Sequence, residues 1–479
     1  MNYSIIRYIL ARVLEFAGLF LLLPYFVGVI YGEEQRFAFL AVAAVSLLIG
    51  FTGKIRKPKS KVFYAREGFV TVSLSWILLS MVGAVPFVLT GEIPSYVDAV
   101  FETVSGFTTT GGTILTDVEV LARCTQFWRL FTHWLGGMGV LVLILAILPL
   151  AGSYNMHLMR AESPGPSVGK LVPKVKNTAR ILYEIYITIT VLEILLLVVS
   201  GLPLYDAATL TFSTVGTGGY GLLNSSAASY SRASQTIIMV FMTLCGINFN
   251  IYYLFLIRKP REVLHSEELR TYLGILLVST FLVGLNIRHN FADLGESMFH
   301  AGFQVISVMT TTGFTTSDFN LWPMFSKTIL FLLMIVGACA GSTGGGLKVS
   351  RLVVLVKSVK NEIVSVIHPR SVKKLHLDGR ALSADVVHSI RVYLAIYAGI
   401  YLISILLVSI DNFSFETNLS AVMAMFNNVG PGFDMVGPMG NFSAFSPLSK
   451  CVLMFDMLAG RLELFPMLIL LVPSCWKKY

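Results

Sequence analysis

One short glycine-centred pattern recurs four times along this chain, each time between two apolar stretches. The copies read Ser105-Gly-Phe-Thr-Thr-Thr-Gly111, Ser213-Thr-Val-Gly-Thr-Gly-Gly219, Ser307-Val-Met-Thr-Thr-Thr-Gly313 and a degenerate Phe426-Asn-Asn-Val-Gly-Pro-Gly432. The first three share a serine six residues before the last glycine. Positions 219, 313 and 432 are followed by Tyr220, Phe314 and Phe433. Non-helical backbone at membrane depth is costly unless it lines water or is buried in protein. A single Gly/Thr turn constrains little, because small residues in membrane helices usually just permit close packing. Four copies in matching positions constrain a great deal. Such segments can ring one axis, where their backbone carbonyls replace the water shell of a cation. Glycine suits this backbone because it adopts positive φ without a Cβ penalty. The pattern reads as a path for potassium.

Composition agrees with a membrane setting. The chain is 55% hydrophobic and 13% charged, with a mean hydropathy of +0.74. A soluble chain carries roughly 25% charged residues. Ten apolar runs are long enough to span a bilayer: about 5–31, 37–53, 68–90, 127–151, 180–202, 233–257, 271–287, 326–357, 390–410 and 448–473. Four shorter helical stretches, near 98–106, 205–213, 296–307 and 416–426, enter and leave from one side. The N-terminal run lacks a small-residue cleavage site and exceeds a signal-peptide core, so it reads as a retained first span.

Lys and Arg set the orientation. With the N-terminus inside, segments 1–12, 54–66, 156–180, 258–270, 348–391 and 475–479 hold 28 of the 36 Lys and Arg residues. Both termini are then expected in the cytoplasm. The +9 net charge follows from topology and anionic lipid rather than nucleic-acid binding. The repeat glycines lie 108, 94 and 119 residues apart, and an even number of spans separates successive copies. The units are therefore parallel, which suits pseudo-fourfold packing. The expected fold class is an all-α polytopic membrane protein. Its units are two N-terminal helices and a basic loop (1–66), then repeats at 67–179, 180–270, 271–389 and 390–479.

The outer segments carry Glu92, Asp98, Glu102, Asp117, Glu119, Asp206, Asp293, Glu296, Asp318, Asp411, Glu416 and Asp434. These acids can concentrate cations at a mouth or simply cap helices. The five cysteines show no pairing pattern, and the eight histidines form no metal-spaced cluster. His133-Trp134 reads as an interfacial pair. Gly216-Thr-Gly-Gly-Tyr-Gly221 matches a dinucleotide pattern but lacks the βαβ context. Gly341-Ser-Thr-Gly-Gly-Gly-Leu-Lys348 resembles a phosphate loop, yet Leu347 separates the glycines from the lysine. It reads instead as a movable loop across the conduction path. Arg461 lies deep in the last span, where a charge is functional and paired by default. Its candidate partners are Asp456, Glu463 and carbonyls of the 341–346 loop. No catalytic constellation is readable, so an enzyme is not expected. A carrier coupled to sodium or protons stays open beside the channel-like reading.

Five motifs together resemble the TrkH/TrkG/KtrB superfamily of bacterial potassium-uptake membrane subunits. They are Phe101–Gly111, His133-Trp-Leu-Gly-Gly-Met-Gly139, Ala161-Glu-Ser-Pro-Gly-Pro166, Gly337–Lys348 and Gly460-Arg-Leu-Glu463. The two extra N-terminal spans are similar to the longer members. The resemblance implies four M1–P–M2 units around one path. It implies a selectivity filter at Thr109, Thr110, Gly111; Thr217, Gly218, Gly219; Thr311, Thr312, Gly313; and Gly430, Pro431, Gly432. It implies gating by Gly341, Ser342, Thr343, Gly344, Gly345, Gly346, Lys348 and Arg461. Potassium is then the substrate, held by filter carbonyls, with no covalently bound cofactor. The implied partners are a second copy of the chain, membrane lipid and a cytosolic TrkA-type ring that binds the nucleotide. Segments 156–180 and 348–391 are the expected docking surfaces, and the bacterial inner membrane is the expected location.

Overall fold

The computed structural model describes residues 1–55, 58, 64–139, 175–368 and 374–477. The Ala161–Pro166 motif, the end of the fourth expected span and most of segment 156–180 lie outside the described residues. Two long helices open the chain, α1 (Tyr3–Tyr31) and α2 (Arg36–Ile55). They pack on each other, and α1 also packs on the helices of the first repeat.

Each repeat begins with one continuous helix. These are α3 (Ala65–Leu89), α6 (Val175–Val199), α11 (Glu267–Asn286) and α15 (Ala384–Val408). Among the described residues, six helices are long and apolar enough to cross a membrane: α1, α2 and these four. A short helix follows in every repeat: α4 (Tyr96–Phe107), α7 (Leu204–Gly216), α12 (Leu294–Met309) and α16 (Phe415–Phe426). All four carry an acid in the first turn, Asp98, Asp206, Glu296 and Glu416 respectively. An acid there offsets the positive end of the helix dipole. Ser95, Asp293 and Ser414 cap three of these helices by accepting from Asp98, Glu296 and Thr417 backbone N–H groups.

The outgoing spans differ from expectation. Ten spans were expected, with one glycine-rich break, at 341–346, in the span that follows the third glycine segment. Instead, each outgoing helix stops after 13–15 residues: α5 (Arg123–Gly137), α8 (Arg232–Cys245), α13 (Met324–Val336) and α17 (Pro447–Arg461). After α8 the chain bends by 89° at Gly246–Asn248 into α9 (Phe249–Leu256), and α10 (Pro260–His265) leads to α11. After α13 the chain runs irregularly from Gly337 to Lys348 before α14 (Val349–Ile367). After α17, Glu463 and Leu464 take positive φ and break the run before α18 (Phe465–Leu471). The physical reason lies in the neighbours. The ends of α5 and α17 meet the C-terminal ends of α4 and α16, where Gly136 and Gly460 face the Phe107 and Phe426 carbonyls too closely for a Cβ, while at the ends of α8 and α13 Gly246 crowds Tyr272 and Gly337 crowds Gly345 and Gly346. Among the described residues the all-α class holds apart from a hairpin of two-residue strands, β1 (His376–Leu377) and β2 (Arg380–Ala381).

Candidate functional site

The four glycine segments follow directly on the short helices, and their backbones match. Thr109, Thr217, Thr311 and Asn428 are left-handed, with φ of 55°, 55°, 58° and 55°. Two residues later, Gly111, Gly219, Gly313 and Gly430 have φ of 81°, 81°, 86° and 96°. The intervening N–H groups of Thr110, Gly218, Thr312 and Val429 donate to the Ser105, Ser213, Ser307 and Ala424 carbonyls at 2.8–2.9 Å. These bonds turn the chain out of the helix and free its next carbonyls. The glycines also interlock. A Cβ on Gly111 would strike the Gly218 carbonyl oxygen, one on Gly219 the Thr312 oxygen, and one on Gly313 the Val429 oxygen. A Cβ on Gly430 would lie 2.7 Å from the Thr110 oxygen. The contacts run from repeat one to two, three, four and back to one, so the segments close a ring.

This register corrects the fourth segment. The sequence pattern aligns Gly432 with Gly111, but the structural counterpart is Gly430. Gly432 has no left-handed φ, and its N–H donates to the Val436 carbonyl at 2.7 Å. The fourth copy lacks the guiding serine, whose place is taken by Ala424, and Pro431 follows the ring glycine where Tyr220 and Phe314 stand elsewhere. The Gly-Pro-Gly spacing therefore pointed two residues too far.

Above the ring lies a cavity of about 300 Å³, lined by Gly111, Gly219, Gly313, Gly430, Thr113, Tyr220 and Arg129 among others. No carboxylate lines it, which favours the helix-cap reading of the outer acids over the acidic-mouth one. The acids serve helix starts and pairs. Asp98 binds the Lys450 ammonium at 2.6 Å, Glu416 binds Lys327 at 3.3 Å, and Glu296 pairs with Arg232. Asp434 accepts from the Ser414 and Thr417 hydroxyls, which hold its carboxyl below the usual range.

Glu102 is fully buried behind the ring. It accepts from Arg129 Nε at 2.6 Å, from the Thr113 hydroxyl at 3.0 Å and from Ile114 N–H at 3.0 Å. Arg129 also donates to the Gly221 carbonyl and lies 3.6 Å over the Tyr220 ring. Tyr220 donates its hydroxyl to the Glu102 carbonyl and stacks on His133 at 4.2 Å. His133 is buried, within 3.0 Å of the Ser213 hydroxyl, and presses against Gly218. It is not interfacial. Burial of the whole network braces the first and second segments from outside. Sequence reading missed Glu102, Arg129 and His133 as a group because Glu102 lies on α4 and the other two, one turn apart, on α5. The one available signal was an Arg in the outer half of an apolar run.

Below the ring lies the Gly337–Lys348 segment. Gly345 N–H donates to the Thr311 hydroxyl at 2.6 Å. Gly344 packs against the Thr310 carbonyl, and Gly345 against the Asn427 carbonyl. Lys348 is buried and turns its ammonium back onto the Gly344 and Gly345 carbonyls. Thr343 donates to the Cys245 carbonyl at 3.2 Å. Arg461 comes from the fourth repeat. It donates to the Thr343 carbonyl at 2.6 Å and to the Gly136 and Gly137 carbonyls at 2.6 and 2.7 Å. One guanidinium thus ties the third repeat's loop to the end of the first repeat's outgoing helix. Of the partners expected for Arg461, the loop carbonyl is observed. Glu463 pairs with Arg351 instead, and Asp456 accepts from the Ser404 hydroxyl at 2.7 Å. Gly341 and Ser342 stand at the far side of the loop, where Gly341 accepts from Phe249 N–H at 3.0 Å.

A ring of turned-out backbone, re-entrant helices ending on it and membrane-length helices around it define a multi-pass membrane transport protein. The chain belongs to the TrkH family, described as cation transport proteins, whose sequence model matches residues 35–285 and 290–478. It is 36% identical over 489 residues to the Trk system potassium uptake protein TrkH of Salmonella typhimurium, covering 99% of each chain. It is 31% identical over 466 residues to the Trk system potassium uptake protein TrkG of Escherichia coli K12, covering 96% of each. The crystal structure of the potassium transporter TrkH from Vibrio parahaemolyticus superimposes with a TM-score of 0.89 at 31% identity, covering both chains completely. The family is one of transporters and not of enzymes.

Proposed function

We propose that this protein takes up potassium through the glycine ring, as the membrane subunit of a Trk system in a bacterial inner membrane. The closed ring of interlocked glycine segments carries the reading. Its carbonyls can replace the hydration shell of a cation, and the short helices end on it with the negative ends of their dipoles. The filter consists of Thr109–Gly111, Thr217–Gly219, Thr311–Gly313 and Asn428–Gly430. The 341–346 loop, held by Arg461, obstructs the path below the filter, and a cation bound there repels an entering ion. Both termini face the cytoplasm. In support, Tyr3 donates its hydroxyl to the Trp476 carbonyl, so the two ends of the chain lie together. The protein works as a homodimer on a nucleotide-binding TrkA-type ring, which the basic segments 156–180 and 348–391 engage.

The test is flux of potassium and sodium into liposomes holding the pure protein, with and without the ring partner. The expected result is downhill, potassium-selective flux that the partner controls. Equal flux of both ions would remove the filter role. A proton-coupled carrier is the second reading, favoured by Glu193 and Asp456, which are buried without an ion pair among the described residues. Potassium accumulation driven by a proton gradient would establish it.

A further inference from the structure

We propose that Glu268 is the positioning residue of the Gly337–Lys348 segment. We further propose that the hairpin at 376–381 acts on that segment through the first turn of α11. The consequence for flux rests on the gate reading above; the positioning itself does not.

Glu268 is buried at the start of α11. Its Oε1 accepts from the Ala340 N–H at 2.6 Å and from the Ser350 N–H at 3.1 Å. These donors lie on the two limbs of the irregular segment, one at its entry and one just past its exit. One carboxylate oxygen therefore clasps the segment closed. Removing the acceptor strands two buried donors. A segment without regular structure has few other ways to satisfy them.

The preceding residue faces the other way. Glu267 pairs with Lys357 of α14, and Lys357 also donates to the His376 carbonyl at 2.9 Å. The Glu267 N–H donates to Asp378 Oδ1 at 2.6 Å, from the hairpin turn where Asp378 and Gly379 are left-handed. Adjacent residues of one helical turn thus grip the exposed hairpin and the buried segment. α14 is held at both points, at Ser350 by Glu268 and at Lys357 by Glu267. Displacing the hairpin moves the turn, and the turn carries Glu268 with it. A partner that binds the hairpin can reach the segment below the ring by this route.

Cys339 reports the segment directly, because it is buried beside Ala340 and its N–H donates to the Gly246 carbonyl at 3.0 Å. The experiment uses the full chain in nanodiscs with Cys124, Cys245, Cys451 and Cys475 replaced, and measures the rate of thiol labelling at Cys339. Glu268→Ala is expected to label about tenfold faster or more. Glu268→Gln keeps an acceptor oxygen and should restore most of the protection. The pair Lys357→Ala and Asp378→Ala, which leaves Glu268 in place, should fall between. Unchanged labelling in Glu268→Ala overturns the positioning role. Unchanged labelling in the hairpin pair overturns the link. Potassium flux in the same variants separates the two readings. Faster labelling with unchanged flux leaves Glu268 as the positioning residue and removes the loop's gating role.

Discussion

At Gly430 the backbone φ is 96°, and a Cβ there would crowd the Thr110 oxygen and the Gly111 backbone. At Gly432 the obstacles are instead the Val436 side chain and Ser420. The two positions should therefore respond differently. Gly430→Ser is expected to raise sodium uptake relative to rubidium in a potassium-uptake-deficient bacterium, as is Gly111→Ser. Gly432→Ala should leave that ratio unchanged. A ratio that shifts for Gly432→Ala and not for Gly430→Ser would restore the register read from sequence. Glu102 and Arg129 make a second residue-scale case. Truncating one member of a buried ion pair costs about 3–5 kcal/mol, because the other charge is left uncompensated, while replacing both costs far less. Arg129→Gln should therefore lower the apparent melting temperature in detergent more than Arg129→Gln combined with Glu102→Gln. Equal losses would mean that the pair is not coupled.

Among the elements, the break between α13 and α14 differs from those after α8 and α17 by its length and by its three consecutive glycines, Gly344–Gly346. Glycine costs about 1 kcal/mol relative to alanine in a helix, so this stretch cannot hold helical form across the span. Arg461 supplies what the loop's own backbone lacks, a fixed donor set for exposed carbonyls. The position has a telling counterpart. α5 and α17 approach their short helices through Gly136 and Gly460, and the next residues are Gly137 and Arg461. Only the fourth repeat places a cation there, and it reaches across to the first and third. Deleting 341–346, or Arg461→Ala, is expected to raise basal potassium flux and weaken dependence on the regulatory partner. Reduced flux in both variants at normal protein levels would mean that the loop supports conduction.

At the scale of the molecule, the bias of 28 Lys and Arg residues to one set of segments predicts sidedness. In a background without native cysteines, a cysteine at position 378 should react with an impermeant reagent only from the cytoplasmic side. A cysteine at position 290 should react only from outside. Reaction of position 378 from outside would reverse the orientation. The glycine contacts also run from each repeat's segment to the next. The fourth lies between the third and the first, which is why a residue of α17 can bridge the loop after α13 and the end of α5.

The membrane class, the helical fold and the glycine-centred turns after three of the short helices were legible in the chain itself. Apolar run length, charge bias and glycine spacing are local properties, and the bilayer makes them decisive. The position of the fourth ring glycine was not legible, because Gly430 and Gly432 differ only in a φ angle imposed by contact with the first repeat. The breaks after α8 and α17 were hidden because hydropathy registers side-chain polarity and not the course of the backbone. Glu102 lies midway along a short helix and Glu268 at a helix start, and neither position names its partner. Tertiary packing alone set one against Arg129 and the other against two backbone N–H groups, since buried charge takes whatever partner the fold brings within hydrogen-bond reach.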